Sequence, residues 1–254
     1  MPEMVIVTEG LRKDYGSTQA LRGLDLEVRG GEVFGFLGPN GAGKTTTIRV
    51  LLDLIRPSGG SARVLDLDPR SQGIDVRGRV GYLPGDFLVD GRQSADELLT
   101  YLGNLRGGVA KQRIVALAER LQLDLRPAIR TLSKGNRQKV GLVQAFMHEP
   151  ELLIMDEPTS GLDPFLQQEF TAMAREVVAD GRTIFMSSHV LSEVQATSDR
   201  VGIIRDGQLV ATERVEDLTR QHFKRLRLNF GNMPPIGTFV QDGVEATDVA
   251  VPIE

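Results

Sequence analysis

Apolar runs of strand length alternate along this chain with longer segments of helical period, and no stretch repeats another. That alternation predicts an α/β architecture, in which each strand feeds a helix that packs back on the sheet. Near the start, Met4 to Val7 and Leu24 to Val28 alternate enough to be half-buried strands. Glu32 to Leu37, EVFGFL, is apolar enough for a strand covered on both faces. The run stops at Gly38. A helical stretch begins near Lys44 and continues TTTIRVLLDLI to Pro57, whose ring cannot extend a helix. The order is strand, glycine-rich loop, helix.

From about Ser94 to Met147 the spacing is helical throughout: ADELLTYLGNL, KQRIVALAERLQL and KGNRQKVGLVQAFM. This predicts a helical subdomain inserted between strands. The short apolar runs then resume at Leu152 to Met155, Thr183 to Met186 and Val201 to Ile204, separated by helical stretches over Pro164 to Val178 and Val190 to Thr197. The last thirty or so residues differ. Leu226, Leu228 and Phe230 alternate with polar neighbours, PPIG makes a turn, and VEATDVAV reads as another strand. Two strands bury no core of their own, so they dock on the main domain or open an appended β domain.

Composition narrows the function more than the fold. The 254 residues amount to one large domain or two small ones at roughly 150 residues each. A net charge of −4 leaves no overall basic field to hold nucleic acid by counterion release. The absence of cysteine removes disulfides, thiolate zinc sites and cysteine nucleophiles together, and fits a reducing compartment. The first twenty residues carry Glu3, Glu9 and Asp14 and lack the apolar core of a secretion signal, so a cytoplasmic location is expected. No apolar run reaches the ~20 positions of a spanning helix. Any membrane work must pass through another subunit.

The strongest chemical signal is Gly38-Pro39-Asn40-Gly41-Ala42-Gly43-Lys44-Thr45, followed by Thr46, which fits G-x-x-x-x-G-K-[ST] between a strand and a helix. Its glycines let successive N–H groups curl inward on phosphate oxygens, and the helix that follows presents its positive end to the same anion. Lys44 would reach the β- and γ-phosphates and the Thr45 hydroxyl would bind Mg²⁺. Phosphoryl transfer also needs a second metal contact and a group that orients the attacking water. LLIMDE supplies both at a strand's carboxyl end, where ligands of open α/β sheets bind, with Asp156 for the metal and Glu157 as general base. His189 follows TIFMSS on the same edge and would either bond the γ-phosphate or hold the water. His148, beside Glu149-Pro150 at a helix end, reads as a cap that satisfies the dipole, and His222 carries no role. A second anion site opens at Leu132-Ser133-Lys134-Gly135-Asn136, where Ser133 is a good N-cap and Gly135 admits close approach to the backbone.

Taken together, the motifs resemble those of the nucleotide-binding subunit of an ABC transporter. GPNGAGKTT matches the Walker A motif of that family, LSKGNRQ is similar to its LSGGQ signature, LLIMDE to its Walker B, Ser160-Gly161-Leu162-Asp163 to its D-loop and His189 to its switch histidine. They occur in the family's order over roughly residues 4 to 220. Tyr15, in KDYG, matches the A-loop aromatic that stacks on adenine. The resemblance implies a P-loop NTPase core with a RecA-like mixed sheet, an N-terminal antiparallel β subdomain and an inserted helical subdomain. The cassette would cover residues 1–222, with the helical part at about 90–148 and a tail over 223–254. It also implies an ATPase that binds ATP and Mg²⁺ and pairs head to tail with a second nucleotide-binding subunit. Ser133 and Gly135 of one copy would then close over the phosphate held by Lys44 of the other, and Asp163 would communicate across the interface. An integral membrane permease would hold the protein on the inner face of the cell membrane.

One departure stands out. The family's Q-loop glutamine follows a Tyr-x-Pro strand end, but Tyr82-Leu83-Pro84 runs here into Gly85-Asp86, and Gln93 comes several positions too late. Asp86 would serve as a substitute metal or metal-water contact, or as a polar loop residue. Together with the LSKG signature and the C-terminal tail, this resembles ATPases of bacterial drug and antibiotic exporters whose permease is a separate chain. An importer ATPase is the alternative, since transport direction lies in the permease. Chromosome-maintenance and ribosome-acting relatives carry long coiled coils or two cassettes, and neither is present. A cassette that only switches often lacks the carboxylate that Glu157 supplies.

Overall fold

The computed structural model describes residues 3–87, 89 and 91–220; the expectations placed on His222 and on 223–254 lie outside the described residues. Two sheets organise the chain. The first pairs β1 (Met4–Tyr15) with β2 (Thr18–Arg29) and with β4 (Gly59–Val64), all antiparallel, in the order β2-β1-β4. β1 and β2 are each longer than the alternation predicts. The pairing register breaks between Met4 and Ile6 and between Thr8 and Leu11, where Gly10 takes φ 54°. Such bulges change the phase of the inward side chains, so Val5, Ile6 and Leu11 are all buried and a strict two-residue period loses the strand.

The second sheet has the order β5-β6-β7-β3-β8-β9. β5 (Val80–Leu83), β6 (Leu152–Asp156), β7 (Thr183–Ser188), β3 (Val33–Leu37) and β8 (Arg200–Arg205) run parallel, and β9 (Gln208–Arg214) closes one edge antiparallel. Alternate residues of the central strands enter different cores. Val33, Leu153, Met155, Ile184 and Met186 face one, while Phe34, Phe36, Leu152, Ile154 and Phe185 face the other. Both faces being covered, these strands read as unbroken apolar runs. Phe34 and Phe185 stack with ring centres 5.9 Å apart.

The second core holds the antiparallel sheet and α1 (Lys44–Leu51) against the main sheet. The helix stops at Leu51 rather than running to Pro57, because Asp53 turns left-handed at φ 55° and the Leu52 and Asp53 N–H groups close on the Ile48 and Val50 carbonyls. α2 (Pro69–Arg79), which the apolar pattern does not announce, buries little beyond Gly73 and Val76. The first core contains the insertion between β5 and β6: α3 (Ala95–Leu105), α4 (Lys111–Arg120) and α5 (Lys134–Phe146). Ser94 and Glu97 form a reciprocal capping box at the head of α3. α5 returns under β5, where Gly141 leaves room for Leu83 and Phe87 that a Cβ would remove. Then come α6 (Pro164–Ala179), α7 (Leu191–Thr197) and α8 (Val215–Arg220).

Residues up to Arg220 form one unit. No helix of the described residues is long and apolar enough to cross a membrane. The parallel strands end together, so the segments after Leu37, Leu83, Asp156 and Ser188 meet at one edge.

Candidate active site

The loop after β3 is shaped by backbone contacts that only glycine permits. A Cβ on Gly38 would lie 2.4 Å from the Ile204 carbonyl oxygen, and one on Gly43, at φ 110°, would lie 2.8 Å from that of Ala20. Gly43 is also the N-cap of α1 and brings no side chain to its first turn, so the free N–H groups there stay available to an anion. Lys44 is 5% exposed. Its ammonium donates to the Gly38 carbonyl at 2.7 Å and the Pro39 carbonyl at 3.2 Å, folding the loop around the cation.

β6 brings the carboxylates. Asp156, 4% exposed, accepts from the Thr45 hydroxyl at 2.7 Å on one oxygen and from the Ser187 hydroxyl at 2.5 Å on the other. Glu157 turns the opposite way: its Oε1 lies 3.0 Å from His189 Nδ1 and 3.7 Å from Lys44 Nζ. The two neighbouring carboxylates thus take different partners, as a strand that is turning at its end allows. The turn is left-handed, with Glu157 at φ 50°, which costs about 1–2 kcal/mol for a residue with a Cβ. Two side chains hold it: the Glu157 N–H donates to Ser187 Oγ at 3.1 Å, and the Gln138 amide donates to the Glu157 and Pro158 carbonyls at 3.4 and 3.3 Å. Burial, and next the Asp156 charge, raise the Tyr82 phenol above its usual 10.0.

Lys44, Thr45, Asp156, Glu157 and His189 therefore converge, with Gly38 to Gly43 as the loop and Thr46 in the first turn of α1. Other expected site residues stand apart from this cluster. Ser133 caps α5 by accepting from the Asn136 N–H at 3.2 Å. At Gly135 the group that comes close is the chain's own Gly161 carbonyl, 2.8 Å from where a Cβ would stand. Asp163 caps α6 through the Leu166 N–H at 3.0 Å. Asp86 is exposed and pairs with Lys134 at 3.5 Å, while its neighbour Gly85 lies against Asp156, with its Cβ position 3.4 Å from Oδ2. Tyr15, 46% exposed at the β1–β2 turn, has the Lys13 ammonium 5.0 Å from its ring centre. His148 is not a charged cap. Burial first, then the Arg106 charge, push it down to about 4, against the opposing backbone contacts of Val80 and Gln144.

One residue of the site, Ser187, carries no motif label; it lies in TIFMSS two positions before His189. Gln138 closes LSKGNRQ, the segment similar to the signature, but that place does not announce its bond to the turn at Glu157.

Thr45 and Asp156 offer hard oxygen donors side by side, and among the described residues no group of three or more His, Asp or Glu side chains gathers to hold a metal. That sparse set fits magnesium, which takes one or two protein oxygens and fills its shell with water and phosphate. The loop, with its free amides and buried lysine, fits a nucleotide triphosphate.

The family model described as ABC transporter matches residues 21–160. The chain is 34% identical to the bacitracin transport ATP-binding protein of Enterococcus faecalis, over 98% of this chain and 82% of that one. It is 37% identical to the daunorubicin/doxorubicin resistance ATP-binding protein of Streptomyces peucetius, over 90% and 72% respectively. Among solved structures, an ATP-binding subunit of an ABC transporter superposes with a TM-score of 0.77 at 28% identity, covering 85% of this chain and 92% of that one.

Proposed function

The chain belongs to the ABC transporter family as an ATP-binding, ATP-hydrolysing subunit, and we propose that it drives the export of a drug, antibiotic or lipid-like molecule through a separate membrane permease. The names of the relatives from Enterococcus and Streptomyces support the export reading. The cassette spans residues 1–222, with its helical part at about 90–148 and the tail of 223–254 appended. It pairs head to tail with a second copy and sits on the inner face of the membrane against the permease.

The observation that carries the chemistry is the Glu157 carboxylate between His189 and Lys44, beside the Thr45–Asp156 pair. In this reading Lys44 and the N–H groups of the loop after Pro39 and of the first turn of α1 hold the β- and γ-phosphates, and Tyr15 packs on the base. Thr45 and Asp156 hold magnesium, which when bound neutralises phosphate charge. Glu157 accepts the proton of the attacking water, whose oxygen forms the new bond to phosphorus while the bond to the ADP oxygen breaks. His189 keeps the carboxylate aimed. Ser133 and Gly135 act on the phosphate held by the partner copy. Asp86, which pairs at the surface with Lys134, serves as a contact to metal-bound water or as a polar loop residue.

Affinity purification of the full chain from detergent-solubilised membranes tests the assignment. An integral membrane subunit is expected to co-purify, with ATPase activity retained. Recovery of ribosomes or DNA in its place would overturn the transport role.

A further inference from the structure

We propose that Gln138 is a positioning residue for Glu157, through which helix α5 sets the geometry of the general base; this rests on the reading of Glu157 as that base. Gln138 is 3% exposed. A buried amide must find partners, and this one spends its N–H donors on two consecutive carbonyls, those of Glu157 and Pro158, at 3.4 and 3.3 Å. Both belong to the left-handed turn that aims the Glu157 side chain at His189.

The turn is gripped from two sides. β7 takes the Glu157 N–H on Ser187 Oγ, and α5 supplies the Gln138 amide to the Glu157 carbonyl. The Glu157 carbonyl also accepts from the Ser160 N–H at 3.1 Å, so the turn's own backbone holds it together with these two side chains, and Gln138 adds the link to α5. The same helix touches the same segment again one turn earlier, where Gly135 abuts the Gly161 carbonyl. Ser133, Gly135 and Gln138 share the first two turns of α5. Any displacement of that helix is therefore passed to the backbone of Glu157 through a hydrogen bond and a close backbone contact. Gln138 touches neither the nucleotide loop nor His189; its effect runs through the carbonyl of the base.

Two variants of the full-length protein test this. Gln138→Met keeps length and bulk but removes the donor. Its turnover number is expected to fall on the order of 10- to 100-fold, the cost of an ångström-scale misplacement, while the ATP dissociation constant stays within about twofold. In a Glu157→Gln background it is expected to lower turnover no further. Gln138→Glu preserves shape and can donate only while protonated. Its turnover relative to wild type is expected to fall as pH rises and the carboxyl becomes an acceptor facing acceptors. Unchanged turnover in Gln138→Met, an equal loss in the Glu157→Gln background, or a flat pH ratio for Gln138→Glu would each overturn the proposal. Wild-type turnover in Glu157→Gln alone would instead remove the base assignment, so the two failures are read on different variants.

Discussion

The Lys44 ammonium spends its donors on the Gly38 and Pro39 carbonyls and lies within ion-pair range of Glu157, so one buried cation shapes the loop and is the group we propose as its phosphate contact. Loss of a charged hydrogen bond of about 1.5–3 kcal/mol predicts that Lys44→Ala weakens ATP binding roughly 10- to 100-fold, measured by titration calorimetry. Glu157→Gln keeps the bulk of the side chain and leaves the loop alone. Turnover should drop by about 10²–10⁴-fold while ATP affinity survives, and ATP should then trap a stable dimer visible by light scattering. Equal loss of affinity in both variants would show that Glu157 acts in binding. Lys44, Thr45, Asp156 and Glu157 are legible in the sequence because each sits at a fixed offset from a glycine or a strand end, where the local backbone sets direction. Ser187 is less legible, since its partner Asp156 comes from a different strand; Gln138 is visible at the end of LSKGNRQ but its bond is not, since its acceptors belong to a turn nineteen residues away.

Helix ends carry double duty in this chain. Asp163 caps α6, and loss of a cap costs about 0.5–2 kcal/mol. Asp163→Ala should lower the denaturation midpoint accordingly, whereas Asp163→Ser retains the cap and should leave stability near wild type. A turnover defect in the serine variant would then belong to contact between subunits and not to the helix. The end of α5 brings a pH dependence. His148 is held at about 4 against an ordinary 6.5, so the unfolded chain takes up this proton first as the pH falls. Its contribution to stability is complete above about 6.5, is lost between there and about 4, and stays constant below. Chemical denaturation of the His148→Gln variant across that interval should show a shallower decline than wild type. The sequence reads His148 as a cap that satisfies the helix dipole because it sees only the helix end; burial and the Arg106 charge come from elsewhere in the fold and favour the neutral ring.

At the scale of the molecule, both halves of the proposed catalytic unit exist but do not meet within one chain. Ser133 caps its own helix through the Asn136 N–H and Gly135 lies against the Gly161 carbonyl, while Lys44 belongs to the cluster at the strand ends. Turnover per subunit should therefore rise with protein concentration, and Ser133→Arg should abolish that rise while leaving ATP binding to the isolated chain intact. Periodicity and glycine placement along the chain were enough for the α/β class, the glycine-rich loop, the inserted helices and the two carboxylates at the end of β6, because strand burial and tight turns are written in contiguous residues. The bulged lengths of β1 and β2, the edge strands β4 and β9, and the weakly apolar α2 were not legible, since their partners rather than their own patterns hold them. The same holds for the clasp around Glu157 and for the turning of Asp86 toward Lys134: hydrogen bonds and ion pairs between distant segments depend on where the packed sheet and helices bring them, and no local spacing encodes that.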